Sequence, residues 1–176
     1  MFFTENVSDQ TAIKIKTALI SVSDKSDLDQ LAATLRSHDI AIVSTGGTSA
    51  YLKEQNFKVT EVSAITGFPE MMDGRVKTLH PLIYAGLLNR PVIDDKLLEE
   101  YSITNIDLVV VNLYPFEETI AQHHSDEEKA VENIDIGGPS MIRATAKNYH
   151  SKTILTDPGD YETLITELAN NQGCVT

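Results

Sequence analysis

Arg75-Val76-Lys77-Thr78-Leu79-His80-Pro81 places two cations, a hydroxyl and an imidazole in one short stretch of a chain that has only 14 lysines and arginines. Residues of these types hold anions and move protons. Two further strings suit an anion. Ser21-Val22-Ser23-Asp24-Lys25 and Ser44-Thr45-Gly46-Gly47-Thr48 combine hydroxyl donors with a lysine or paired glycines. Glycines let backbone N–H groups approach an oxyanion, and a following helix N-terminus favours negative charge. A third group is Asn112-Leu113-Tyr114-Pro115-Phe116, and a fourth is Asn133-Ile134-Asp135-Ile136-Gly137-Gly138-Pro139-Ser140, which leads to Arg143 and Lys147. Positions 143 and 147 share one helix face. Each group also has a plainer use: a tight turn at Gly46-Gly47, a packed His80, a capping Asn112 and a buried Tyr114. If Lys25, Arg75, Lys77, Arg143 and Lys147 converge, they make a positive pocket for a small phosphorylated ligand.

Several chemistries lack their signatures. The chain has neither Gly-x-Gly-x-x-Gly nor Gly-x-x-x-x-Gly-Lys-Ser/Thr, the patterns of dinucleotide and nucleoside-triphosphate sites. His-x-x-x-His, Cys-x-x-Cys and Gly-x-Ser-x-Gly are also missing. His123 and His124 are adjacent and point apart on a helix, and Cys174 is the single cysteine. Neither a metal nor a cofactor is expected.

These strings need a frame that brings them together. Thr17–Ser23, Ile40–Val43, Phe57–Val62, Ile106–Asn112 and Thr153–Thr156 read as strands. The run from Ile106 is apolar with little alternation, as in a parallel strand buried on both faces. Leu28, Leu31, Ala32 and Leu35 recur at helical spacing, Ser49–Gln55 reads as a short helix, and Asp157-Pro158 opens a helix to about Asn170. Strands alternating with helices predict an α/β fold with a parallel sheet flanked by helices. In such sheets ligands bind beyond the carboxyl ends of the strands, where Ser23–Lys25 and Ser44–Thr48 fall. Residues 1–16 read as a loosely ordered leader and 17–176 as one domain. The stretch from Ala64 to Arg90 shows no sustained period, and Asp126-Glu127-Glu128 reads as the first turn of a helix.

The chain has 176 residues, with 26 acidic against 14 basic side chains and a formal charge of −12. That balance argues against a nucleic-acid surface or a polybasic membrane anchor. One cysteine, no long apolar run and no signal-peptide pattern predict a soluble cytoplasmic domain.

Taken together, the strings resemble the inosine-monophosphate cyclohydrolase domain of the bifunctional purine-biosynthesis protein. The resemblance rests on Ile20–Lys25, Ser44–Thr48, Thr66–Pro81, Val111–Phe116, Ile134–Pro139 and Arg143–Asn148, in family order. It implies a methylglyoxal-synthase-like fold, related to the Rossmann sheet, and closure of a formamido-imidazole-carboxamide ribotide to inosine monophosphate. By resemblance, Ser23, Asp24, Lys25 and Thr45, Gly46, Gly47 and Thr48 hold the 5′-phosphate of a purine-precursor nucleotide. Arg75, Val76, Thr78, Val111, Asn112 and Ile136 line the ligand. Lys147 matches the proton donor or acceptor, with Lys77, Tyr114 and Asp135 at the reacting groups. The family further implies a homodimer and, in its longer protein, a transformylase domain. Tyr84 and Tyr149 stand where the family commonly has His. A binding module of the same fold and a methylglyoxal-synthase-type lyase are the alternatives.

Overall fold

The structure, a computed structural model, describes residues 12–114, 116 and 127–176. The chain begins with β1 (Ile13–Lys14), β2 (Thr17–Val22), α1 (Leu28–Ser37), β3 (Ala41–Ser44), α2 (Gly46–Glu54), β4 (Val59–Glu61) and α3 (Val62–Thr66). A 3₁₀ turn at Met72–Gly74 leads to α4 (Pro81–Leu88), α5 (Asp95–Glu100) and β5 (Leu108–Asn112). After α6 (Glu127–Glu132) come α7 (Gly137–Lys147), β6 (Thr153–Leu155), a 3₁₀ turn at Pro158–Asp160, α8 (Tyr161–Asn170) and β7 (Cys174–Val175).

Five strands form one parallel sheet in the order β4-β3-β2-β5-β6. Successive side chains of a strand point to opposite faces, so the central strands β2, β3 and β5 feed two cores. Ala18, Ile20, Val22, Leu108 and Val110 pack with Leu28, Leu31, Leu35 of α1 and Leu164, Leu168 of α8. Leu19, Val109 and Val111 pack on the other face with Ile83 and Leu87 of α4 and Met141 and Ala144 of α7. The result is a central sheet with helices on both sides, and all five carboxyl ends at one edge.

Three expectations change at their boundaries. The leader was expected to run to Lys16, but Ile13–Lys14 pairs antiparallel with Cys174–Val175 and Ile15 is buried. Burial of Ile15 is what draws that segment in; residues 1–11 lie outside those described, as do Pro115, His123, His124 and Asp126. The helix expected from Ser49 begins at Gly46, because Gly46 takes a left-handed φ of 55° and turns the chain straight from β3 into α2. The stretch from Ala64 to Arg90 contains the end of α3 and the whole of α4. Helix α4 carries apolar residues on all sides, between the sheet, α7 and solvent, so it has no period to read.

At the edge opposite the strands' carboxyl ends, Asp107 accepts the Lys16 and Thr17 N–H groups at 2.9 and 3.0 Å. Beside it the buried Lys152 ammonium donates to the Gly86 carbonyl and to the Asn89 and Asn105 side chains. Burial lowers the Lys152 pKa to about 8, partly offset by Asp107. Every donor has its acceptor, which makes this a structural network. Lys152→Met should leave those acceptors unpaired and lower stability by roughly 2–4 kcal/mol, read from denaturant unfolding; an unchanged midpoint would contradict this account.

Candidate functional site

The register of β2 against β5 sets Val22 beside Asn112. From there the Asn112 carboxamide reaches the loop after β2. Its Oδ1 accepts the Ser23 and Asp24 N–H groups at 2.6 and 2.9 Å, and its Nδ2 donates to the Asp24 carbonyl at 2.8 Å. The next strand supplies similar bracing. The Thr48 hydroxyl, buried, bonds the Val22 N–H and carbonyl, and the Ser44 hydroxyl donates to the Ile20 carbonyl. Hydroxyls expected to meet an anion are therefore partly used in holding the loops. What α2 offers instead is the backbone N–H groups of its first turn, which lack helical acceptors. Around Gly47 the space is open for an oxygen to reach them.

These loops form one wall of a cavity of about 550 Å³ at the carboxyl edge of the sheet. Ser23 and Lys25 line it with Thr45, Gly47 and Thr48. Arg75, Lys77 and Thr78 line a second side; Asn112, Tyr114, Asp135 and Ile136 complete it. Five segments well separated in the chain thus meet in one cavity of the size that holds a small ligand. The Lys77 ammonium lies against the start of α2: a Cβ on Gly46 would stand 3.3 Å from its Nζ. Asp135 Oδ1 accepts the Gly138 N–H at 2.9 Å, which holds the carboxylate at the N-terminus of α7, where the helix dipole favours it. A Cβ at Gly138 would sit 2.6 Å from Asp135 Oδ2 and 2.5 Å from Leu113 Cδ2, so a larger residue there would push the carboxylate or the Leu113 side chain aside.

Other expected residues lie elsewhere. The Asp24 carboxylate turns back onto the Ser26 N–H and hydroxyl, which lower its pKa, and does not line the cavity. Val76 pairs through its backbone with Met71 and closes the 71–76 turn. The Val111 side chain is buried in the core beneath α7. Gly46 adjoins the cavity through Lys77 without lining it.

Arg143 and Lys147 are the larger correction. Both are exposed on α7 and neither lines the cavity. The physical reason is helix face: Gly138, Met141, Ala144 and Thr145 take the buried side of α7, which leaves positions 143 and 147 on the exposed side. Of the five basic residues expected to converge, Lys25, Arg75 and Lys77 do so. Conversely, Glu132 lines the cavity and pairs with Arg75 through a bidentate contact. Its only sequence signal was its place three residues before Asp135. Glu70, also unforeseen, accepts the Thr45 hydroxyl at 3.5 Å. Tyr84 is part-buried on α4, and burial raises its pKa. Among the described residues no group of three His, Cys, Asp or Glu is gathered as for a metal ion, and no helix is long and apolar enough to cross a membrane.

A parallel sheet with a cavity at its carboxyl edge, lined by Lys25, Arg75 and Lys77, defines a class of small-ligand α/β domains, and comparison narrows it. The model of the MGS-like domain matches residues 27–140, well over half of the chain, and the chain belongs to that family. The family includes enzymes, among them methylglyoxal synthase and inosine-monophosphate cyclohydrolase, and also domains without catalysis. The crystal structure of ForH is similar to this chain at 33% identity, covering 90% of this chain and 82% of that one, with a TM-score of 0.78.

The bracing role of Asn112 can be tested directly. Asn112→Leu keeps the size of the side chain and removes its three hydrogen bonds. Amide hydrogen exchange at Ser23 and Asp24 should accelerate on the order of tenfold, consistent with about 1 kcal/mol per bond. Unchanged exchange at both amides would show that the loop is held by something else.

Proposed function

We propose that the protein is an inosine-monophosphate cyclohydrolase, acting in the cytoplasm on a purine-precursor ribotide. The observation that carries the proposal is the meeting of Arg75, Lys77 and Thr78 with Asp135 and Tyr114 in the cavity whose other wall is Ser23–Lys25 and Thr45–Thr48. These are the strings on which the family resemblance rests. They derive from segments far apart in the chain.

The cavity supplies what this ring closure needs. The carboxamide nitrogen attacks the formyl carbon of the same molecule and a C–N bond forms; the carboxamide and formamido nitrogens each lose one proton, the C–O bond breaks, and the formyl oxygen leaves as water. An amide nitrogen is a weak nucleophile, so the reactive conformer must be held; well-oriented intramolecular reactions reach effective molarities on the order of 10⁵–10⁸ M. The phosphate binds at Lys25 and the first turn of α2, and this anchors one end of the ribotide. Asp135, held by the Gly138 N–H, orients the carboxamide and takes its proton. Lys77 and Tyr114 donate to the formyl oxygen as it gains charge and is protonated.

Lys147, which the resemblance makes the proton donor or acceptor, is exposed on α7 and does not line the cavity. A homodimer, implied by the same resemblance, is part of the proposal. The test is direct absorbance of purified protein with the formamido ribotide, without folate. Ring closure by the wild type, and a fall of roughly 10²–10³-fold in kcat for Lys77→Ala and for Asp135→Asn, are the expected results. Binding of the ribotide without turnover would instead identify a binding module.

A further inference from the structure

Glu132 reaches the cavity from α6, a helix that none of the ligand motifs includes. Its carboxylate takes Arg75 Nε at 3.2 Å on one oxygen and Arg75 Nη2 on the other. This fork joins residues 57 positions apart. Arg75 follows the 3₁₀ turn of a loop closed on itself by the Met71–Val76 bridge. Glu132 begins the segment that supplies Ile134, Asp135 and Ile136 to the cavity. Neither segment belongs to the five-stranded sheet. The fork is therefore a direct tie between the loop bearing Lys77 and Thr78 and the segment bearing Asp135.

The Arg75 side chain is 64% exposed. A long cation so open to water spreads over many rotamers unless something fixes it, and a bidentate carboxylate fixes both the plane and the place of a guanidinium. The Arg75 guanidinium in turn holds the Glu132 carboxyl below its ordinary range, so the partner stays ionised at neutral pH.

We propose that Glu132 is a positioning residue, which holds the Arg75 guanidinium at the cavity for the anionic oxygens of a phosphorylated ligand and does not itself bind that ligand. The inference rests on reading the cavity as a phosphorylated-ligand site. It goes beyond that reading by assigning affinity to a residue that acts through another. A carboxylate that merely competed for Arg75 would weaken binding, so its removal would have the opposite sign.

The test is a double-mutant cycle by titration calorimetry, with inosine monophosphate and inorganic phosphate as separate probes. Wild type, Glu132→Ala, Arg75→Ala and the double variant are compared, with Glu132→Gln replacing Glu132→Ala if the latter melts below the assay temperature. Glu132→Ala should weaken binding about three- to fivefold, the range of an exposed ion pair. In the Arg75→Ala background the same change should have no further effect. Unchanged or tighter binding by Glu132→Ala overturns the proposal, and so does an equal loss in both backgrounds. Wild type that binds phosphate but not inosine monophosphate defeats the purine-nucleotide reading and leaves the phosphate cycle to judge Glu132. Wild type that binds neither probe defeats both.

Discussion

The pairing of β2 with β5 is the contact on which the site depends. It sets Val22 opposite Asn112 and so puts a carboxamide within reach of two backbone N–H groups and a carbonyl in the next loop. A shift of one residue would turn Asn112 to the other face of the sheet and leave those groups without their partner. Register is secured because both strands are buried on both faces: Ala18, Leu19, Ile20 and Leu108 to Val111 are each nearly inaccessible. Burial thus decides register, register decides where Asn112 falls, and Asn112 decides the shape of the loop that faces the ligand.

The same sheet separates structure from chemistry by its two edges. Polar groups at the amino edge satisfy one another: Asp107 is filled by backbone donors and by Asn105, and Lys152 by three acceptors. Such a network locks strand ends in place and offers nothing to a ligand. At the carboxyl edge the helix start at Gly46 and Gly47, the Lys77 ammonium and the Asp135 carboxylate border a cavity. Parallel topology produces this polarity, since every strand ends at the edge where every following helix begins. A formal charge of −12 is compatible with an anion site because Lys25, Arg75 and Lys77 are gathered there while acidic groups such as Glu99, Glu100 and Glu127 stand on the exterior.

Much of this was legible from residue order. The apolar runs at Thr17 and Ile106 marked strands by their lack of alternation, which burial on both faces produces, and the helical spacing of Leu28, Leu31 and Leu35 marked an amphipathic helix, because one-sided burial leaves a period behind. Helix α4 left none, since Leu82, Ile83, Tyr84, Leu87 and Leu88 surround its axis. Clusters at Ser23–Lys25, Gly46–Thr48, Arg75–Thr78 and Asp135 were visible as chemistry. What each hydroxyl would do was not: Thr48 reads the same whether it faces a phosphate or the Val22 backbone, and only packing chooses. Glu132 was hidden for the opposite reason. A glutamate in an acidic helix looks solvated until a partner 57 residues away is brought to it.

Helix α7 shows how geometry limits what motif order can assign. Its N-terminus holds Asp135 through Gly138, and its C-terminus carries Lys147. In sequence the two are twelve positions apart and look like one cluster. In space the helix turns them to different sides: Gly138, Met141, Ala144 and Thr145 take the buried face of α7, which leaves Arg143 and Lys147 on its exposed face. Met141, six residues before Lys147, is the last residue of α7 to line the cavity. A motif lists positions in order and carries no angle around the axis, so residues that read as one cluster can face different surroundings.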